Sequence, residues 1–170
     1  EALDINLGNT ADQILTDGFG NTETITGTSS VWDIQGSGFD DIVVGSGRDE
    51  SYTAFGGNNT LDGGGGFDRL RYDRFTIASV NIDAENGVVT GALSNGGTFT
   101  DTISGFEYFR GSDGNDQIIG EASADNLYEG REGIDTFVHL GGNDTIVDFD
   151  PSTEVLTVRL AGLDQAQVDA

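Results

Sequence analysis

The chain has no cysteine and no lysine, and proline and histidine each occur once. Without cysteine, neither a disulfide framework nor a thiolate metal centre can form. The single histidine, His139, cannot supply the ligand set of a catalytic zinc, and no serine or cysteine nucleophile stands near it in a recognisable elbow. The absence of lysine also empties the run Gly63 to Gly66 of meaning as a phosphate loop, which needs a following Gly-Lys. No apolar run approaches membrane-spanning length, and Glu1 is not followed by the basic and apolar regions of a signal sequence. The reading is an excised module whose export address, if it has one, lies outside residues 1–170. Positive charge is scarce as well. Thirty acids against seven bases leave a formal charge of −23, which would repel nucleic acid.

Glycine and aspartate are abundant, and they recur. Segments QGSGFDDIV (35–43), GGGGFDRLR (63–71), GSDGNDQII (111–119) and HLGGNDTIV (139–147) share a glycine, then Asp, any residue and an apolar residue. Weaker copies are VGSGRDESY (44–52), AFGGNNTLD (54–62), GEASADNLY (120–128) and GREGIDTFV (130–138). Taking Asp40, Asp49, Asn59 and Asp68, then Asp116, Asp125, Asp135 and Asp144, as the key positions gives steps of 9, 10 and 9 in each block. Two residues after each stands Ile42, Ser51, Leu61, Leu70, Ile118, Leu127, Phe137 or Ile146, and only Ser51 breaks the expected inward apolar position. A larger duplication is also visible. INL (5–7) matches VNI (80–82), and TETITG (22–27) matches TDTISG (100–105). The chain reads as one module of two units, 3–71 and 78–147, followed by a strand exit over 148–170.

In x-Asp-x-apolar-x the alternation of a strand sends the apolar side chain inward and its neighbours outward. The glycines make the turns, where positive φ and close backbone approach are cheap only without a Cβ. Two nonapeptides complete one circuit, so the expected fold is all-β, a parallel β-roll with extra strands between the repeat blocks. Its apolar filling is thin, while ordering each residue costs about 1–2 kcal/mol. The turns also bring acids of adjacent circuits together, with Asp40 expected near Asn59, Asp49 near Asp68, Asp116 near Asp135, and Asp125 near Asp144. A hard divalent cation relieves that repulsion, taking carboxylates and turn carbonyls into the all-oxygen shell that calcium prefers. The expected ligands are those eight residues with the turn glycines Gly36, Gly38, Gly45, Gly47, Gly64, Gly66, Gly114, Gly133 and Gly142.

The nonapeptide resembles the GGxGxDxUx signature of RTX, or haemolysin-type, calcium-binding repeats, most closely in GGGGFDRLR and HLGGNDTIV. DTIVDFDPSTEVLTV is similar to the strand exit that follows such blocks. The resemblance implies a parallel β-roll, type I secretion from a Gram-negative bacterium, several bound Ca2+ ions, and folding triggered outside the cell in support of a parent exoprotein. Asn59 in place of Asp and the missing glycines of GEASADNLY depart from the signature. No catalytic constellation emerges. Asp40-Asp41 and the pair Asp148 and Asp150 could be glycosidase carboxylates, but they fall within the repeat and at its exit. Asn86-Gly87 signals a hairpin among the extra strands. One surface feature suggests an alternative role. Arg69, Arg71 and Arg74 cluster, and Tyr52 and Tyr128 are expected outward like Arg71, a combination that could bind an acidic polysaccharide. Local pairing of these arginines with Asp68 and Asp73 is the competing expectation.

Overall fold

The computed structural model describes residues 2–7, 13–16, 22–25 and 33–159. The regular elements among them are all β-strands, and no helix occurs. The end of TETITG and the exit segment beyond residue 159 lie outside the described residues.

The order of strands recurs along the described chain, but the first antiparallel pair stands as a two-stranded sheet of its own, whereas the second belongs to the nine-stranded sheet. The first unit has β1 (Asp4–Asn6), a hairpin of β2 (Gln13–Thr16) and β3 (Thr22–Ile25), then β4 (Asp33–Gln35). The short repeat strands β5 (Ile42–Ser46), β6 (Ser51–Thr53), β7 (Thr60–Gly64) and β8 (Arg69–Arg71) follow. The second unit repeats the order: β9 (Ile77–Asp83), the antiparallel pair β10 (Val88–Leu93) and β11 (Thr98–Ser104), and β12 (Tyr108–Arg110). Its repeat strands are β13 (Gln117–Ile119), β14 (Leu127–Glu129), β15 (Thr136–His139) and β16 (Thr145–Ile146), and β17 (Val155–Val158) closes the described chain. Asn86 and Gly87 sit in the turn between the antiparallel β9 and β10, with Gly87 at a φ of 66°.

Repeat strands alternate between two sheets. One has nine strands, in the order β1-β5-β7-β11-β10-β9-β13-β15-β17; the other has six, β16-β14-β12-β8-β6-β4. Apart from the pairings of β10, every pairing within these two sheets is parallel. The units meet where β11 pairs with β7 and β12 with β8. The equivalence of the units is offset from the sequence match. Ile5 pairs with Val43 as Ile82 pairs with Ile118, so Ile82 rather than Val80 is the partner of Ile5 in the duplication.

The core is a pair of apolar columns. Ile5, Val43, Leu61 and Ile103 pair in register along one part of the large sheet, and Ile82, Ile118 and Phe137 along another. Ile34, Tyr52, Leu70, Phe109, Tyr128 and Ile146 form the column of the small sheet. Only Ile34 and Ile146, at the two ends of that column, are less than fully buried.

These columns correct the repeat phase at three places. Val43, not Ile42, is inward, and Ile42 is 49% exposed. Tyr52, not Ser51, and Tyr128, not Leu127, fill the core. Each error arose where two polar residues adjoin: Asp40-Asp41, Asp49-Glu50 and Asp125-Asn126. In each pair the second residue is the buried one. The inward polar positions are therefore Asp41, Glu50, Asn59 and Asp68, and Asp116, Asn126, Asp135 and the half-buried Asp144, with steps of 9, 9, 9 and 10, 9, 9. In this phase all eight inward positions are apolar or tyrosine, and Ser51 is no departure.

A ladder of buried carboxylates

Each inward polar residue precedes an inward core residue by two, so the strand alternation that buries Val43 or Phe137 also buries Asp41 or Asp135. A buried carboxylate needs donors. The first comes from the neighbouring circuit. Asn59 Oδ1 accepts the N–H of Asp41 (2.9 Å), and Asp101 Oδ1 accepts that of Asn59 (2.8 Å). Asp68 Oδ1 accepts from Glu50, and Asp135 Oδ1 from Asp116 (2.9 Å). Asp144 Oδ1 accepts from Asn126 at 3.0 Å, and Glu107 Oε2 from Asp68 at 2.8 Å. These bonds join residues 18 or 19 apart within the blocks, one full circuit.

An outer ladder runs beside this one. Asp40 Oδ1 accepts the N–H of Asn58, Asp49 Oδ1 that of Phe67, and Asp125 Oδ1 that of Asn143. The expected stacking of Asp116 with Asp135 is present. Asp40, Asp49 and Asp125 instead face Asn58, Phe67 and Asn143 from exposed positions.

The remaining oxygens separate the acids into two groups. Four residues before Asp41, Glu50 and Asp116 stands a serine. Ser37 donates both its N–H (2.8 Å) and its hydroxyl (2.8 Å) to Asp41, and Ser112 does the same for Asp116. Ser46 likewise donates its N–H and hydroxyl to Glu50. Asp41 also takes the Tyr52 hydroxyl at 2.8 Å. Burial first, and then the charge of Asp41, push the Tyr52 phenol far above its ordinary range, so it remains a donor. Asp68 and Asp135 have no such serine; the residues in that place are Gly64 and Arg131. Asp68 Oδ2 and Asp135 Oδ2 are both buried without a hydrogen-bond donor.

The electrostatics follow from this. Burial, reinforced by the charges of Glu50 and Glu107, raises the Asp68 carboxyl to about 7. Asp135 is raised by burial and by Glu154 and Asp148. Burial also lifts Asp101 and Asp116 to about 6 despite their donors. The Tyr72 hydroxyl donates to Asp101 at 2.7 Å.

The glycines serve the same close stacking. Gly66 (φ 137°) and Gly133 (φ 114°) turn where an added Cβ would strike the backbone carbonyls of Arg48 and Gly114 in the preceding circuit. At Gly111 and Gly130 a Cβ would strike the carboxylates of Asp116 and Asp135. Gly64 and Gly142 also have positive φ, whereas Gly36, Gly38, Gly45, Gly47 and Gly114 do not. His139 is half-buried, its Nδ1 2.6 Å from Asp144 Oδ2.

The arginine cluster is placed differently from expectation. Tyr52 and Tyr128 are 2% exposed, so neither can stack on a surface ligand. Arg71 bonds Asp73 Oδ2 at 2.7 Å, and Arg110 (3.2 Å) and Arg131 (3.7 Å) reach the same oxygen. Burial alone would raise Asp73, but the three arginines outweigh it and hold the carboxyl below its usual range. Arg69 lies over the Tyr108 ring at 4.1 Å and Arg74 over Phe55 at 4.7 Å. Asp68, the other expected partner, is inside.

Among the described residues no group of three or more His, Asp or Glu side chains is placed to hold an ion by itself. The donor chemistry nevertheless fits a hard cation at two places. Asp68 and Asp135 each have an orphaned buried oxygen and two further carboxylates acting on them. Asp41 and Asp116 do not fit, because protein donors already occupy their oxygens.

No family model and no curated protein matches the chain. Among solved structures, the extracellular lipase LipA from Serratia marcescens is similar over 81% of this chain, at 14% identity and a TM-score of 0.22. The matched region is 34% of that protein, so the chain spans about a third of its length.

Proposed function

We propose that the chain is a non-catalytic calcium-binding parallel β-roll module of the RTX kind, belonging to a secreted bacterial protein. The observation that supports this best is that Asp68 and Asp135, unlike the arginine-paired Asp73, each bury a carboxylate oxygen that no protein donor reaches and, among the described residues, have no basic partner, in a chain of charge −23. Asp68 and Asp135 are the side chains that would hold the ions, with turn carbonyls completing an oxygen shell. When bound, calcium supplies the positive charge that these acids lack. A site filled at ten times its Kd adds about 1.4 kcal/mol, so the two sites add about 3 kcal/mol, enough to tip a marginally stable domain. Low cytosolic calcium would leave the module loose for passage through a secretion channel, and external calcium would close it.

Calorimetric calcium titration with far-UV circular dichroism as the folding readout tests this. The expected result is saturable calcium uptake accompanied by a gain of β-structure. A fully folded spectrum in excess chelator, unchanged by calcium, would overturn the proposal.

A further inference from the structure

The nine-stranded sheet carries on its outer face a row of uncharged hydrogen-bonding side chains in register. Thr100 pairs with Thr90, Thr90 with Asn81, Asn81 with Gln117, and Gln117 with Thr136. Adjacent strands lie about 4.8 Å apart, so the row presents a polar group at each such step across five strands. Ser79 and Thr98 flank it, both in register with Ala92. Among the described residues, none of these seven side chains has a hydrogen-bond partner within the protein.

The row forms part of the lining of a shallow, open groove of about 680 Å³. Charged residues make up 22% of the chain, so about three would be expected among the fourteen that line the groove. There is one, Asp116, which is buried and bonded to Val80 and Ser112. On a protein of charge −23, a groove clear of exposed charge is a selective feature. An anionic ligand finds no counter-charge there, and a cation finds no carboxylate. Hydroxyls and primary amides both donate and accept, as do the hydroxyls of a sugar. Ile134, 55% exposed at the rim, and the threonine methyls supply apolar contact.

From this geometry we infer that the groove binds a neutral polysaccharide, with Asn81 and Gln117 as its central hydrogen-bonding pair. This goes beyond the calcium reading and requires only that the chain be folded.

The test is native affinity electrophoresis of the full chain, in calcium, through gels containing dextran, hydroxyethyl cellulose, galactomannan or alginate. Retardation is expected in at least one neutral polymer and not in alginate. The double variant Asn81→Ala, Gln117→Ala should bind about tenfold more weakly with an unchanged circular dichroism spectrum. Arg71→Ala, outside the groove, should bind as the parent does. Retardation in no neutral gel, equal or greater retardation in alginate, or undiminished binding by the double variant would each overturn the inference.

Discussion

Within each repeat block the first circuit and the second treat the same buried acid in opposite ways. Asp116 in the first circuit of its block is served by Ser112 and by the backbone of Val80. Asp135, one circuit later, has the N–H of Asp116 and a second oxygen with nothing. Glu50 and Asp68 repeat the contrast in the other block. The difference is one side chain per circuit, a serine against a residue that cannot cap. It divides acids that belong to the fold from acids that call for a proton or a cation.

The largest expected effect breaks the comparison by truncation. Asp116→Ala strands the N–H of Val80 and both donors of Ser112, at about 1–3 kcal/mol for each buried unsatisfied group. A loss of about 3 kcal/mol or more is expected in urea unfolding at saturating calcium, with the number of calcium ions bound at saturation unchanged. Asp68→Ala should instead lower that number by one. If both variants bind the same number of ions, the division between capped and uncapped acids is wrong.

A pH series sharpens it. Asp68, raised to about 7, and Asp101 and Asp116, raised to about 6, bind protons more tightly folded than unfolded. Their contribution to stability is full below the unfolded carboxyl value near pH 4 and is lost as pH rises through 6 to 7. In chelator the residual β-structure seen by far-UV circular dichroism should therefore fall between pH 5 and pH 8. Calcium competes with those protons, so saturating calcium should flatten or invert the slope. More residual β-structure at pH 8 than at pH 5 in chelator would contradict the burial of charge at these carboxyls.

Much of this was legible in the sequence, and the failures were local. The period of nine, the two units and the alternation of Leu70 or Phe137 inward follow from glycine spacing and strand periodicity alone. The phase slipped by one at Asp40-Asp41, Asp49-Glu50 and Asp125-Asn126, because two adjacent polar residues fit a nine-residue pattern equally well. Only the core decides between them. Val43, in register with the buried Ile5 and Leu61, is the inward residue, and that pairing is not contained in the spacing. Tyr52 and Tyr128 were misplaced for the same reason, since a tyrosine suits a surface until a buried acceptor such as Asp41 or Asn126 takes its hydroxyl. The serines had a sequence signal that could have been used: Ser37, Ser46 and Ser112 each precede a buried acid by four residues. The hydroxyl-and-amide row could not be seen, because it joins β11, β10, β9, β13 and β15, whose order in the sheet is not their order in the chain.

The smallest expected effect concerns Arg131, which stands where Ser112 stands one circuit earlier. Among the described residues it is the only non-glycine with positive φ, 83°, and Gly64, one circuit after Ser46, is at 89°. At these two turns the second circuit runs through a left-handed residue where the first places a serine; Phe55, one circuit after Ser37, does not. Arg131 holds that conformation while bonding Asp113 at 2.6 Å and reaching Asp73. The pair with Asp113 is exposed and worth about 0–1 kcal/mol, whereas a non-glycine residue in the left-handed region costs of order 1 kcal/mol. Arg131→Ala removes the ion pairs and keeps the strain; Arg131→Gly removes both. The glycine variant should be more stable than the alanine variant by about 1 kcal/mol in urea unfolding. Equal stability of the two would mean that this turn stores no strain, and that the lost serine alone distinguishes the two circuits.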